Sequence, residues 1–311
     1  MPTNPTTWTE INKAHVLAFS KNYTHAVQQK KPRTIPFANT VTQEGQYKFY
    51  NRLGKINEDT EIIEHTRNAD TVYSEIPHFR RRMGLRTWNF ATLMDPDDSD
   101  EILADPNNGY IETIRYAFAR HVDKTFFATL FADVATGEDG TSTEVYNSAT
   151  DKPCDIAVGT GADAALTLTK LRNALMGYYE NDYFPDEQGG LNALIKPKHL
   201  SQLIQQEKAI NGDYVNELLA IQEGKIEKLF GISLKLHNRL QTTSNISDIP
   251  ILGQDSVLYA ANKNFMIKVD TLPTKTQSRQ IFAQMKYGFM RFDTARLGRI
   301  KVDDTAVPSA T

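Results

Sequence analysis

The chain has 311 residues, 40% of them hydrophobic and 23% charged, enough for one large domain or two modest ones with a buried core. Its 35 lysines and arginines against 38 acidic residues leave a net charge of -3, which argues against a dedicated nucleic-acid binder. A single cysteine, Cys154, excludes an intrachain disulfide, and no apolar run is long enough for a membrane-spanning helix.

Residues 7–29 are expected to form an amphipathic helix. Trp8, Ile11, Phe19, Tyr23 and Val27 recur at helical spacing, Thr6 or Thr7 can cap the start, and Lys30-Lys31-Pro32 closes the end. The residues before it show no basic start followed by an apolar stretch, so no signal peptide is expected. From Arg33 to about Trp88 the pattern turns strand-like, in Gln46–Tyr50 and Thr71–Ile76, with the acidic turn Asn57–Glu61 between them. This predicts two long antiparallel arms with little core of their own. An excursion of about 50 residues is uncommon where connections usually run about 2–6, and a projecting hairpin usually finds its partner on another chain.

The acidic run Asp95-Pro96-Asp97-Asp98-Ser99-Asp100-Glu101 precedes the clearest helix, expected over 109–135. There Ile111, Ile114, Phe118, Val122, Phe126, Leu130 and Val134 keep helical spacing, giving a rod of about 40 Å before the turn-forming loop Gly137–Thr141. Helices are then expected over 163–180 and from Pro197, where proline suits a first turn. Strands are expected at Leu191–Ile195, Ile232–Leu236, Val257–Ala261, Phe265–Val269 and Phe282–Phe292, with a frayed tail over 306–311. The fold class is α+β.

No catalytic constellation emerges. The seven histidines form no HExxH pattern and no close pair with metal-ligand spacing, and His121, beside Arg120 and Asp123 on the long helix, reads as a packed or rim residue. Asp95, Asp97 and Asp100 lack the glycine and glutamate of a calcium loop and read as helix-capping and solubilising groups. Gly159-Thr160-Gly161 lacks the third glycine of a dinucleotide loop, since position 164 is alanine. Cys154 reads as an incidental thiol. No catalytic residue, cofactor site or metal site is therefore assigned.

One basic run stands out, Arg80-Arg81-Arg82 with Arg86 following. Nucleic-acid or phosphate binding is one reading. Contact with an acidic stretch such as 95–101 of a neighbouring copy is the other, favoured because the arginines lie at the base of the hairpin and not beside aromatic stacking platforms. The expected intersubunit contact residues are Trp8, Phe19, Arg80, Arg81, Arg82, Asp97 and Asp98.

The order of elements (terminal arm, long two-stranded loop, long helix, α/β segment, closing strand) resembles the Hong Kong 97-type coat proteins of tailed bacteriophages. Tyr73-Ser74-Glu75-Ile76-Pro77-His78-Phe79-Arg80-Arg81-Arg82 followed by Asp95-Pro96-Asp97-Asp98 is similar to the segment joining extended loop to spine helix in that family. Ala119-Arg120-His121-Val122-Asp123-Lys124 resembles its spine helix, Leu194-Ile195-Lys196-Pro197 the strand and helix of its axial domain, and Tyr287-Gly288-Phe289-Met290-Arg291 with Gly298-Arg299-Ile300 its closing strands. The resemblance covers most of residues 35–303. It implies an N-terminal arm at 1–34, an extended loop at 35–90, a peripheral domain at 91–150 with its spine helix, an axial domain at 151–272, and closing strands with a tail at 273–311. It also implies a structural, non-enzymatic protein that builds hexamers and pentamers of an icosahedral shell in the host cytoplasm. Packaged double-stranded DNA would be enclosed without sequence-specific binding, and a portal protein and in some cases a decoration protein would join the shell. The first 34 residues are too short for a built-in scaffolding segment, so a separate scaffolding protein is expected. Two alternatives stay open: a bacterial nanocompartment shell of the same fold, and a soluble α+β enzyme.

Overall fold

The computed structural model describes residues 27–68, 70–94, 106–148, 151–160, 164–207 and 228–307. Residues 7–26 of the helix expected over 7–29, with Trp8 and Phe19, and the acidic run with Asp97 and Asp98 lie outside these residues, and residues 27–29 are not helical. The chain divides into two units, one of residues 1–30, 89–118 and 265–284, the other of 31–88, 119–264 and 285–311. In the first, Phe118 packs edge-on against Phe265 and Arg115 lies over the same ring.

In chain order the first half holds β1 (Asn39–Val41), β2 (Tyr47–Leu53), β3 (His78–Gly84), β4 (Arg86–Met94), the long helix α1 (Pro106–Leu130), β5 (Val134–Thr136) and β6 (Ser142–Glu144). The second half holds β7 (Asp155–Ile156), α2 (Leu168–Glu180), β8 (Leu191–Ile195), α3 (Pro197–Glu207), β9 (Lys228–Leu229), β10 (Ile232–Leu236), β11 (Thr242–Thr243), β12 (Ile246–Leu252), β13 (Val257–Leu272), β14 (Ser278–Arg291) and β15 (Leu297–Asp303). Three sheets result. One has the order β1-β13-β14-β4, a second β2-β3-β5-β6, and the third β7-β15-β12-β8-β10-β9 with β11 paired to β12.

The third sheet carries the main core. β8 is apolar on both faces, with Leu191, Ala193, Leu194 and Ile195 all buried, as a central strand between two neighbours requires. Ile249, Ile251 and Leu252 of β12 join Leu297, Ile300 and Val302 of β15, and α2 packs Leu171, Ala174, Leu175 and Tyr178 into the same cluster. From α1 come Val122, Phe126, Phe127 and Leu130. Each fully buried apolar side chain contributes about 1.5–3 kcal/mol relative to exposure, so this cluster outweighs any single polar contact.

Four expectations need correction. The second arm of the hairpin is His78–Gly84 and not Thr71–Ile76, because the register pairs Tyr47 with Gly84 and Leu53 with His78. Residues 54–68 and 70–77 belong to the tip, closed by the Gly54 amide donating to the Pro77 carbonyl (2.7 Å). The long helix spans 25 residues, about 37 Å, and stops at Leu130, since Val134–Thr136 is taken into β5. Gly137 and Gly140, both at positive φ, turn the β5–β6 hairpin within the expected turn-forming loop. Val257–Ala261 and Phe265–Val269 are one 16-residue strand. The helix expected from 163 begins at Leu168, where the Thr167 side chain accepts the Lys170 amide (3.2 Å).

Backbones approach closely at Gly288, where an added Cβ would lie 2.5 Å from the Gly84 carbonyl oxygen. That oxygen belongs to the main chain and cannot step aside. Gly288→Ala is expected to lower stability by about 1–3 kcal/mol, measured by chemical denaturation; an unshifted midpoint would refute the tight packing.

Candidate functional site

Successive residues of a strand face opposite ways, so the β2–β3 hairpin has two chemically distinct faces. Tyr50 and Arg81 are paired on one, as are Lys48 and Met83. Arg81 and Met83 are buried there. The Arg81 guanidinium donates to the Arg291 and Phe292 carbonyls (3.2 and 2.7 Å), to Thr294 Oγ1 (2.8 Å) and to Glu144 Oε1 (2.5 Å). Burial raises the Glu144 pKa, but the Arg81 charge and the hydrogen bond from Thr294 outweigh it and hold the carboxyl below its ordinary value. Arg291, fully buried, donates to the Leu130 and Ala132 carbonyls (3.3 and 3.0 Å), satisfying the exposed end of α1 where a cation is also favoured by the helix dipole. Arg81 thus fastens the base of the hairpin to the ends of β6 and β14.

The opposite face presents Tyr47, Phe49, Asn51 and Leu53 beside His78, Arg80 and Arg82. The Arg82 guanidinium carbon lies 5.0 Å from the Tyr47 ring centre and that of Arg80 5.8 Å from the Phe49 ring centre, a diagonal ladder of cations on aromatic rings. Here the expectation that the basic run lies away from aromatic platforms fails. The rings come from β2, some thirty positions earlier, and only the antiparallel register brings them alongside. Arg80 donates to Asn51 Oδ1 (3.0 Å) and the Glu138 carbonyl (3.4 Å), and neither it nor Arg82 pairs with a carboxylate among the described residues. Beside the ladder runs a groove of about 760 Å³ lined by His78, Phe79, Arg80, Glu138, Glu144 and Val145 among others. The hairpin tip leaves Ile62, Ile63, Val72 and Tyr73 exposed, Tyr73 at 89%.

Two buried polar clusters join distant parts of the chain. Asp123 on α1, with no exposed surface, accepts the Arg33 amide (3.0 Å), the Thr34 amide (3.1 Å) and the Thr34 hydroxyl (2.7 Å). Its other oxygen meets His237 Nε2 at 3.1 Å. Since His237 Nδ1 accepts the Arg239 amide (3.1 Å), the proton sits on Nε2 and is donated to Asp123. The second cluster ties the N-terminus of α3 to the segment after β15. Lys196 Nζ donates to Asp304 Oδ2 (2.7 Å), Ser247 Oγ (2.7 Å) and Thr242 Oγ1 (2.5 Å), and His199 Nε2 donates to Asp304 Oδ1 (2.8 Å). Burial raises the Asp304 pKa, but the hydrogen bonds from Lys196, Ser247 and His199 prevail and bring it to about 2. Burial lowers the His199 pKa despite the Asp304 partner, with Lys196 and Lys198 adding to the effect.

The remaining sequence candidates are structural. His121 packs between Trp88 and Tyr287, its Nδ1 2.6 Å from the Tyr287 hydroxyl. The Cys154 thiol is buried and pushed up to about 12 by that burial. Among the described residues no cluster of metal-ligating side chains occurs, and no helix is long and apolar enough to cross a membrane.

The sequence profile of the phage capsid protein family matches residues 11–304. No curated protein matches the sequence. Among solved structures, the chain is similar to the capsid of cyanophage P-SCSP1u, with 14% identity and a TM-score of 0.70 over 94% of each chain. It is similar to the acid-stable capsid of Helicobacter pylori bacteriophage KHP30 (9% identity, TM-score 0.70, 98% of this chain and 99% of that one). It also matches the capsid of Ralstonia phage GP4 (9%, 0.67, 100% and 98%). At these identities the likeness is one of fold, and the fold is the Hong Kong 97 type that the element order implies.

Replacing Arg81 with Met strands Glu144 and the carbonyls it serves, and is expected to cost about 2–4 kcal/mol of stability. Arg80→Met should shift it by no more than about 0.5 kcal/mol. Equal losses in denaturation experiments would refute the two-faced hairpin. The His199 and His121 pKa values both lie below their unfolded value of about 6.5. Below that pH the unfolded chain takes up protons first, so the stability these groups contribute is present above about pH 6.5 and lost as pH falls toward their folded pKa values. The melting temperature should therefore decline as pH falls below about 6.5, and His199→Gln should flatten the decline; an unaltered profile would count against the assignment.

Proposed function

The chain belongs to the phage capsid protein family, and from that premise we infer that it is the major capsid protein of a tailed double-stranded DNA bacteriophage, the repeated subunit of its icosahedral head shell. The observation that carries this reading is the joint reach of family profile and fold. The profile runs from residue 11 to 304, and capsid chains of other phages superpose over nearly their whole length. A nanocompartment shell would share the fold, but the profile is that of phage capsids.

In this reading residues 1–34 form an arm laid across neighbours, residues 35–90 an extended loop reaching over the adjacent subunit, and the rest the peripheral and axial domains. The exposed Ile62, Ile63, Val72 and Tyr73 at the loop tip support it, because burying apolar area against a neighbour yields about 25 cal/mol per Å². Each contact is modest, and many symmetry-related ones acting together stabilise a closed shell. The near-neutral net charge of -3 suits a container that must hold DNA without gripping it. Hexamers and pentamers, a separate scaffolding protein, a portal and in some cases a decoration protein complete the proposed assembly, which forms in the host cytoplasm. Its role is geometric and requires no catalytic group.

Expressed with its phage's scaffolding protein and imaged by electron microscopy, the chain should give closed icosahedral shells. A homogeneous monomer or dimer under every condition would overturn the reading.

A further inference from the structure

We propose that the arginine–aromatic ladder on the outward face of the β2–β3 hairpin is a docking surface for the acidic segment 95–101 of a second copy of this chain. The inference rests on the shell reading and adds the contact that sets the register between adjacent copies. Arg80 and Arg82 flank Arg81 in sequence, yet only Arg81 has a carboxylate partner, Glu144, among the described residues. The two outward guanidinium groups are held over Phe49 and Tyr47 at 5.8 and 5.0 Å. The rings hold both guanidinium groups on this face, where the N–H donors not taken by Asn51 and the Glu138 carbonyl can meet carboxylates. Exposed Leu53 and His78 continue the same face.

The occupant follows from charge. Residues 95–101 carry five carboxylates, Asp95, Asp97, Asp98, Asp100 and Glu101, and no basic residue. No other stretch of the sequence is as densely acidic, and the arginine run is its counterpart in sign. A nucleic acid fits the ladder less well. The ring faces on which bases would stack already carry guanidinium groups. Charged contacts of this kind act more on register and on the rejection of wrong partners than on raw affinity. The ladder is therefore a device for aligning copies before apolar surfaces close.

The test is a charge exchange, read as the fraction of protein recovered in closed shells by sedimentation and electron microscopy. Arg80→Glu with Arg82→Glu should lower that fraction at least about tenfold, since like charges would then face each other in every copy. Asp97→Arg with Asp98→Arg should do the same, and the four changes together should restore most of the yield. Circular dichroism and thermal melting of the unassembled variants separate assembly defects from misfolding. Overturning results are a quadruple variant no better than either double, or an Arg80→Glu/Arg82→Glu variant that assembles at the unmodified level. If that variant assembles normally but loses retained nucleic acid, the ladder is a nucleic-acid surface instead. Failure of the unmodified chain to form shells would sink the shell reading itself, an outcome distinct from all of these.

Discussion

Consecutive side chains on a strand leave opposite faces, so three arginines in a row cannot act as one basic patch. Which of them turns inward depends on where β2 is laid against β3. The observed register sets Tyr50 opposite Arg81 and sends that guanidinium to Glu144, Thr294 and the carbonyls at the end of β14. A shift by one residue would bury Arg80 and Arg82 and expose Arg81 and Met83. Much else depends on this choice: the anchoring of the hairpin at its base, the projection of its apolar tip, and the aromatic support given to the two remaining cations.

Buried charge recurs wherever segments distant in sequence must be joined. Asp123 holds Arg33, Thr34 and His237 to the middle of α1. Arg291 closes the end of the same helix, and Lys196 with His199 secures Asp304. Desolvation consumes most of the attraction in such pairs, which makes them weak sources of net stability. Their geometry is demanding, however, and each admits only one arrangement of the segments it joins. The apolar cluster around β8, β12 and β15 supplies the stability, and the polar contacts select which way the surrounding pieces dock on it.

Local pattern made much of this legible. The unbroken helical spacing from Ile111 to Leu130, the apolar Leu191–Ile195 run and the proline opening α3 each carry their structure in a short window. What escaped depends on distance along the chain. No strand is apparent at Ile246–Leu252, where Pro250 argues against one; it is tolerated because the ladder from β12 to β8 begins only at Ile251. Val72 and Tyr73 have the composition of a strand but lie in the exposed hairpin tip, where no neighbour offers a ladder. The arginine run was visible at once. Its division into one structural and two outward-facing members was not, because Tyr47, Phe49 and Glu144 reach it only through pairing.

The single cysteine leaves the molecule chemically quiet. Cys154 is packed so closely that a side chain on Gly298 would collide with its sulfur, and burial holds its thiol at about 12. Thiolate, the form that alkylating reagents and oxidants attack, is scarcely populated there at neutral pH. A cysteine introduced on the hairpin or elsewhere on the surface would thus be the reactive one in the chain, so a fluorophore or heavy-atom label could be placed at a chosen position without first removing the native sulfur.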